Sequence, residues 1–385
     1  MTSSDLADRL EALRTAAREV LAPASRTAIA LRLSRLSARW LDRSDPFRAE
    51  AETLLERSTG FSPPMVRRAL DETFGALVAP ALPRLAGVVT GARTTLVVAG
   101  GVIPDPIVRA IYRALLGQSA VLVKASSVEP HLPAVLARSA AAIDPGLGRC
   151  LGAARWTGGD RAVESPLVSI VDRIVAYGSD EAIRDLGERV PPGVEFVGRG
   201  HRTSVAAIGR GALAGPEALE DLGRRLALDV ALYDQEGCLS PHAAFVEEGG
   251  AATPADLAER VADHLDRLAR ILPPGRLSDG RALRLHEERT LVELSGGRVH
   301  AGPRLAWTVT LEPALGLRPS PGSRFLRIVP VRDLSLVPPI LASAPLQAIA
   351  VAPHSMATAF ASFGDRTRIC PVGTMQTPPV EWLER

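Results

Sequence analysis

The alternation of strand-like and helix-like patterns after residue 94 constrains the fold of this chain more than any other feature. The strand-like runs begin with TTLVVAGG, AVLVKAS and DRIVAYG, and the helix-like runs beside them include DPIVRAIYRALLGQ and HLPAVLARSAAAI. Such alternation is typical of a parallel sheet with helices on its faces. The sequence therefore predicts an α/β fold.

A second unit of the same kind is predicted to begin near residue 206. The runs RTSVAAIG and LAWTVTLEP predict strands, TPADLAERVADHLDRLARIL predicts an amphipathic helix, and SMATAFASFG predicts another helix. Residues 4 to about 80 carry the apolar spacing of helices. We predict N-terminal helices with a first α/β domain over 1–205, a second α/β domain over 206–375, and a tail over 376–385.

Composition and charge exclude several classes of protein. The chain is 46% hydrophobic with a net charge of +2, which indicates a globular core and no basic surface for nucleic acid. Its longest apolar runs are too short or too broken by proline to span a membrane, and its charged N-terminus is unlike a signal peptide. Three cysteines form no disulfide framework, and no His, Cys or Asp cluster has metal-ligand spacing. We expect a cytoplasmic protein without a metal.

One lysine stands out in this arginine-rich chain. Lysine and arginine total 45, and Lys124 is the single lysine. It ends the apolar run AVLVK, at the edge of a parallel sheet where ligands bind in open α/β folds. Its ammonium could hold ribose hydroxyls or a phosphate, and Ser126 and Ser127 follow it with small hydroxyls. The alternative is that Lys124 occurs by chance and lies on a solvated surface loop.

A second candidate for phosphate binding is the segment VAYGSDEAI. A buried strand ends there, the chain turns at Gly178 and Ser179, and a helix opens. Glycine lets backbone approach a ligand, and the N–H groups of a helix N-terminus suit a pyrophosphate. The alternative is that Ser179 only caps the helix. The sequence contains neither a GxGxxG fingerprint nor a Walker A motif.

The cysteine in LYDQEGCLSPHAAFV is the candidate nucleophile. Cys238 follows a polar Asp-Gln-Glu-Gly turn between a helix and a strand, whereas Cys150 and Cys370 have the apolar surroundings of packing residues. A cysteine on such a turn can attack as a thiolate, although a small buried side chain is the usual role of cysteine. The position of His242, four residues after Cys238, favours a structural role for that histidine. His201 is a candidate for a substrate or cofactor contact, ranked below Cys238 and Lys124.

Several segments together resemble the LuxC-type acyl-CoA reductase family, a branch of the aldehyde dehydrogenase superfamily. They are TGFSPPMVRRALDETF, AVLVKASS, WTGGD with VAYGSDEAI, GRGHRTSVAAI, DQEGCLSPHAAFV and RTRICPVGTMQTPPVEW, and they span roughly residues 58 to 382. The resemblance implies two Rossmann-like α/β domains with the active site in the cleft between them. The resemblance also implies that the domain over 1–205 binds NAD(P) and that the domain over 206–375 is catalytic.

The resemblance also implies a reaction. The Cys238 thiolate would attack an acyl-CoA thioester and hold the acyl group, and hydride from the cofactor would reduce that group to an aldehyde. Lys124 matches the lysine that holds the adenosine ribose, and Gly178 with Ser179 matches the pyrophosphate turn. Ser127 replaces a glutamate common in NAD-preferring members, which favours NADPH, with NADH as the alternative.

The chain departs from the superfamily at the oxyanion hole. The segment AGGVIPDP offers Gly100 and Gly101 where an asparagine is usual, which leaves the backbone of Cys238 as a donor. Glu195 is near the position of the hydrolytic glutamate, but its register does not support a base. Two alternatives therefore stay open: a degenerate scaffold subunit of an acyl-processing complex, and a reductase of acyl groups on a carrier protein. A homo-oligomer, or a partner that is an acyl carrier or a synthetase, is compatible with either.

Overall fold

The structure is a computed structural model that describes residues 3–79, 81–86, 93–364 and 367–382. Its helices are α1 (Ser3–Val20), α2 (Arg26–Leu41), α3 (Pro46–Thr59), α4 (Pro63–Ala76), α5 (Leu82–Ala86), α6 (Pro104–Leu116), α7 (Leu132–Ile143), α8 (Pro145–Gly148), α9 (Arg161–Val168), α10 (Asp180–Gly187), α11 (Pro216–Ala231), α12 (Pro254–Ile271), α13 (Asp279–Leu294) and α14 (Val337–Leu341). Its strands are β1 (Thr94–Val98), β2 (Ala120–Lys124), β3 (Leu151–Ala154), β4 (Arg173–Tyr177), β5 (Glu195–Arg199), β6 (Thr203–Ile208), β7 (Pro241–Glu247), β8 (Arg298–Ala301), β9 (Thr308–Leu311), β10 (Phe325–Val331), β11 (Leu346–Ala352) and β12 (Arg368–Pro371).

Two compact units divide the chain. Unit 1 contains Met1–Thr59, Val66–His201 and Pro379–Glu384, and unit 2 contains Gly60–Met65 and Arg202–Pro378. The units divide just ahead of β6, a few residues before the predicted boundary at 205. Part of the predicted tail belongs to unit 2, up to residue 378. The assignment of the two domains to cofactor binding and catalysis stays a prediction.

Unit 1 is built on a five-stranded parallel sheet with the order β3-β2-β1-β4-β5. Every residue of β2 is buried, as expected for a strand that helices cover on both faces. The chain winds outward in both directions from β1, so the order reverses between β1 and β4. In open α/β sheets a ligand binds at such a reversal, outside the carboxyl ends of the strands.

Unit 2 is built on a seven-stranded sheet with the order β12-β11-β6-β7-β10-β9-β8. All neighbouring strands are parallel except β8, which runs antiparallel to β9. Apolar side chains of the central strands form the core, among them Val205, Phe245, Val329 and Ile349. The central strand β7 follows directly on the segment that carries Cys238.

The α/β prediction is confirmed, and the differences concern weakly patterned elements. Sequence patterns missed several elements, among them β3, β5, β8, α9 and α13. The residues of β3 are LGAA, which lack the β-branched and aromatic side chains typical of strands, and α13 buries only Leu285 and Val292. The helix predicted at SMATAFASFG is a 3₁₀ helix, His354–Phe363, and the strand predicted at LAWTVTLEP shortens to β9. Over the described residues, no helix combines the length and apolar character needed to cross a membrane.

Candidate active site

The three cysteines have different environments. Cys238 is exposed, whereas Cys150 and Cys370 are buried. Burial raises the pKa of Cys150 to about 11 and also raises the pKa of Cys370. Both buried side chains therefore hold their protons at neutral pH and behave as small apolar groups. Of the three, Cys238 is the cysteine that a substrate can reach.

The backbone just before Cys238 is in an unusual conformation. Three consecutive residues of the 3₁₀ segment that follows α11 have positive φ angles: 56° at Tyr233, 49° at Asp234 and 64° at Gln235. None of them is glycine, and this conformation costs about 1 to 3 kcal/mol for each residue and persists only where surrounding contacts offset the cost. Strain of this kind is a common feature of functional sites, and here it immediately precedes the candidate nucleophile.

Buried side chains of the same segment hold this conformation. Asp234 accepts a hydrogen bond of 2.8 Å from Arg324, whose side chain is completely buried, and a second of 2.9 Å from the amide of Gly275. The side-chain amide of Gln235 donates to the carbonyls of Pro241 and Phe325 at 2.7 and 2.9 Å. Burial raises the pKa of Asp234, and the Arg324 guanidinium opposes that rise.

The peptide groups on both sides of Cys238 are also anchored. The hydroxyl of Ser204, on β6, donates to the Cys238 carbonyl at 2.6 Å. The amide of Ser240 donates to the Gly237 carbonyl at 2.9 Å. The side chain of Gln376 donates to the Ser240 hydroxyl at 2.7 Å. Since a peptide group is planar, fixing these carbonyls fixes the plane of each peptide that flanks Cys238.

Residues 371–376, near the C-terminus, form hydrogen bonds with the residues that flank the Cys238 turn. Asp229, near the end of α11, accepts hydrogen bonds from the amides of Gly373 and Met375 at 2.6 and 3.0 Å. Gln376 also donates to the Asp229 carbonyl at 3.1 Å. Burial raises the pKa of Asp229 to about 7, although the two amides lower it. Residues 371–376 therefore belong to the surroundings of Cys238 within unit 2.

Lys124 ends β2 at the carboxyl edge of the unit 1 sheet. Its side chain is 7% exposed, and burial lowers its pKa while Glu164 opposes that shift. The ammonium nitrogen lies 5.9 Å from the centre of the Trp156 ring, whose N–H donates to Glu164 at 3.0 Å. A Cβ atom on Gly158 would lie 3.8 Å from the same nitrogen. The WTGGD segment therefore passes directly beside Lys124.

The two serines after Lys124 have different roles in the structure. Ser126 is buried, and its hydroxyl accepts hydrogen bonds from the amides of Val128 and Glu129 at 3.2 and 3.4 Å. Ser127 is exposed at the edge of the sheet. Ser126 thus shapes the loop, whereas Ser127 is the hydroxyl that a ligand at this edge would meet.

The loops after β1 and β4 meet at the point where the strand order reverses. A Cβ atom on Gly100 would lie 2.3 Å from the Tyr177 carbonyl oxygen, so only glycine allows this approach. Gly101 has a φ of 73°, which also favours glycine. Gly178 follows Tyr177, and the Ser179 hydroxyl accepts the amide of Ala182 at 3.2 Å as the N-cap of α10. Ser179 therefore caps α10, and the role of Gly178 and Ser179 in phosphate binding stays a prediction.

The two candidate histidines and Glu195 lie outside these clusters. His201 is exposed, and its amide donates to Asp180 at 2.9 Å. His242 accepts the Ser320 amide at 3.0 Å, and burial lowers its pKa, which fits a structural role. Glu195 begins β5 and lies 3.4 Å from Arg173, at the edge of the sheet opposite to Lys124. In the part of the chain that the structure covers, no group of three His, Cys, Asp or Glu side chains could hold a metal ion.

The supports of Cys238 could not be found by sequence reasoning. Asp234 and Gln235 were visible as a polar turn, but Arg324 lies 90 residues from Asp234, and Ser204 lies 34 residues before Cys238. Nothing local in the sequence links these positions. The available signal was the polarity of the turn itself, because three polar side chains next to an apolar helix and strand need partners when they are buried.

These two sheets, with the exposed cysteine ahead of β7, define the aldehyde dehydrogenase fold. The chain resembles the NAD-dependent aldehyde dehydrogenase of Sinorhizobium meliloti with a TM-score of 0.76 at 16% identity, over 96% of this chain and 80% of that one. It resembles an NAD-dependent benzaldehyde dehydrogenase of Corynebacterium glutamicum with a TM-score of 0.73 at 17% identity, over 96% and 86%. Within this fold, residues 90–381 match the family described as acyl-CoA reductase (LuxC). The chain belongs to that family, and the predicted resemblance is confirmed.

Relatives with curated names share part of their length with this chain. The long-chain acyl-protein thioester reductase of Aliivibrio fischeri is 27% identical over 258 residues, which are 66% of this chain and 52% of that protein. The long-chain acyl-protein thioester reductase 2 of Photobacterium leiognathi is 26% identical over 258 residues, with the same coverage. The chain spans about half the length of these relatives.

Proposed function

We propose that this protein reduces an acyl thioester to the corresponding aldehyde and carries the acyl group on Cys238 during the reaction. The observation that carries the proposal is the single exposed cysteine, set on a strained turn that buried polar groups hold in place. Membership of the LuxC family and the names of the two curated relatives support a thioester as the substrate.

The chemistry requires a thiolate and a protected acyl group. The Cys238 thiolate attacks the thioester carbonyl, and the original carbon–sulfur bond breaks, so that the leaving group departs with the electron pair as a thiolate. Hydride from a bound nicotinamide cofactor would add to the new thioester and give the oxyanion of a thiohemiacetal on Cys238. Its collapse releases the aldehyde and returns the electron pair to the sulfur. No base is needed to activate water, so the proposed reaction assigns no role to Glu195.

The carboxyl edge of unit 1 fits a nicotinamide dinucleotide. Lys124 offers an ammonium to the ribose or a phosphate, and the glycine contact at Gly100 brings two loops together at the strand reversal. Gly178 and the N-terminus of α10 suit a pyrophosphate. When bound, the cofactor supplies the hydride. The names of the two NAD-dependent structures also support a nicotinamide cofactor.

We propose NADPH rather than NADH as the preferred cofactor. Ser127 is exposed beside Lys124 and carries no charge. A carboxylate at this position would repel a 2′-phosphate, whereas a hydroxyl does not. Ser127→Glu should therefore weaken NADPH binding more than NADH binding. Equal affinity of the wild-type protein for the two cofactors would contradict this preference.

The acyl donor is either acyl-CoA or an acyl-protein thioester. The family description names acyl-CoA, and the curated relatives are named for acyl-protein thioesters. Both donors present the same thioester carbonyl to Cys238. Parallel assays with long-chain acyl-CoA, an acyl-carrier protein and an acylated partner protein would separate them, and the donor with the highest kcat/KM identifies the class.

The reductase proposal is tested with purified protein, an acyl-CoA panel and NADPH. We expect nicotinamide absorbance to fall and an acyl adduct to form on Cys238, as seen by intact mass. Cys238→Ser should abolish both signals, whereas Cys150→Ala, which changes a buried packing residue, should retain them. If no donor gives turnover and none gives an adduct, the proposal is wrong and the scaffold alternative is favoured.

A further inference from the structure

Gln235 connects the two ends of the loop that carries Cys238. Its side-chain amide donates to the carbonyl of Pro241, three residues after Cys238, and to the carbonyl of Phe325 at the start of β10. Its side-chain oxygen accepts the Phe325 amide at 2.7 Å. The side chain is 4% exposed. One buried amide therefore ties the start of the loop, the end of the loop and the neighbouring strand together.

The partner segment is as unusual as the loop itself. Ser323 and Arg324, which lead into β10, have positive φ angles of 58° and 60°. The amide of Ser323 donates to the Asp234 carbonyl at 3.1 Å, and Arg324 donates to the Asp234 carboxylate. Two strained segments, residues 233–235 and 323–324, thus hold each other in place. Neither is expected to keep its conformation when its partner is lost.

Ser204 fixes the loop at Cys238 itself. Its hydroxyl donates to the Cys238 carbonyl and accepts the Ala348 amide at 3.1 Å. Ser204 is completely buried on β6, which lies between β7 and β11 in the sheet. The Cys238–Leu239 peptide plane is therefore set by the central strands of the unit 2 sheet and not by solvent-exposed contacts.

We propose that Gln235 and Ser204 are positioning residues that hold Cys238 in the orientation needed to attack a thioester carbonyl. The proposal rests on the function proposed above, since it assigns a role in that reaction. Neither side chain needs to touch the substrate. Their effect is geometric: attack on a carbonyl tolerates little displacement, and a misplacement of about 1 Å costs roughly 100-fold in rate.

The test uses two substitutions at Gln235, one at Ser204 and one matched control. Gln235→Met keeps the size of the side chain and removes its hydrogen bonds, and Ser204→Ala removes one hydroxyl. Ser139→Ala is the control, because Ser139 is an equally buried serine whose hydroxyl accepts the Trp40 N–H at 3.0 Å, and it lies on α7 of unit 1. Unfolding midpoints establish that each variant is folded at the assay temperature.

We expect single-turnover acylation of Cys238 to slow about 100-fold in Gln235→Met and about 10-fold in Ser204→Ala. The KM for NADPH should stay within about threefold of the wild-type value, and the control should acylate at close to the wild-type rate. A residue with a merely structural role would lower the unfolding midpoint without separating acylation from cofactor binding. Acylation within about threefold of wild type in both variants would overturn the proposal.

Gln235→Glu gives a second and independent signature. Its carboxylate would face the carbonyls of Pro241 and Phe325, whereas the protonated carboxyl group can donate to one of them. We expect the ratio of Gln235→Glu to wild-type acylation rates to rise as the pH falls. A ratio that does not change with pH would count against a positioning role for the Gln235 amide.

Hydrogen exchange of the peptide spanning residues 232–246 separates this proposal from the proposed function, since it needs no reaction. We expect at least tenfold faster exchange in Gln235→Met and no change in the control. Unchanged exchange in Gln235→Met would refute the positioning role of Gln235 even in an active enzyme. Faster exchange in a protein that accepts no acyl donor would refute the reductase function, whereas the finding that Gln235 holds the Cys238 loop would stand.

Discussion

The Cys238 turn of unit 2 and the Lys124 edge of unit 1 are built in opposite ways. Non-glycine residues adopt positive φ angles before Cys238, and buried side chains hold them there. At the Lys124 edge, glycines provide the special conformations and close approaches, notably Gly100 and Gly101. The first region depends on side-chain hydrogen bonds, and the second depends on the absence of side chains.

This difference agrees with the role that we propose for each region. A nucleophile must be oriented before the substrate arrives, because the attack tolerates little error in geometry. A phosphate-binding loop must instead expose backbone N–H groups to the ligand, and the ligand completes its hydrogen bonds. Stability and function should therefore be coupled at the Cys238 turn and separate at the Lys124 edge.

The largest expected effect is the loss of stability in Asp234→Asn. The substitution leaves the Arg324 guanidinium buried without a counter-charge, which typically costs about 3 to 5 kcal/mol. Urea unfolding would measure the change in the free energy of unfolding. Arg224→Gln is the matched control, because its pair with Asp221 is exposed and should contribute less than about 1 kcal/mol. A loss in Asp234→Asn no larger than in this control would contradict the description of the turn.

Lys124 gives the opposite expectation. Burial lowers the pKa of Lys124, because it disfavours the charged ammonium. Lys124→Met removes that ammonium, so the free energy of unfolding should stay within about 1 kcal/mol of wild type or rise. NADPH affinity should fall about 10- to 100-fold, the usual result of losing a charge-assisted hydrogen bond. Fluorescence titration with NADPH would measure it. Affinity unchanged in this variant would show that the ammonium does not contact the cofactor.

Lys124→Arg sharpens the same comparison. The larger guanidinium must fit beside Trp156 and Gly158, which lie close to the present ammonium. We therefore expect arginine to restore little of the lost affinity, although it keeps the charge. Wild-type affinity in Lys124→Arg would mean that the chain tolerates either cation and that the single lysine carries no information.

Local patterns predicted much of this fold but not its sheet order. Strand β1 and strand β2 are apolar runs that the sequence shows directly, whereas the central position of β1 depends on contacts between distant segments. Strand β5 was missed because it lies at an edge and is only partly buried. An edge strand needs less apolar patterning than a central one.

The candidate site divides in the same way. Cys238 and Lys124 were predicted because each is unusual in its own neighbourhood. Ser204 and Arg324 were not predicted, since a buried serine and one arginine among 44 carry no local signal. Their roles depend on strands that meet only in the folded sheet. Candidates for reacting residues can thus be found from the sequence, whereas the residues that hold them require the structure.

The smallest expected effect is a pH dependence of the free energy of unfolding that arises from Asp229, near the end of α11. Burial raises the pKa of Asp229 to about 7, above its value in an unfolded chain. The folded state therefore binds a proton that the unfolded state has lost, and this contribution to stability disappears as the pH rises through about 7. We expect the free energy of unfolding, relative to Asp229→Asn, to fall by about 1.4 kcal/mol between roughly pH 6 and pH 8. Urea unfolding of both proteins across this range would measure it. A difference that is constant with pH would show that Asp229 is ionised throughout and that its charge is compensated by Gly373 and Met375.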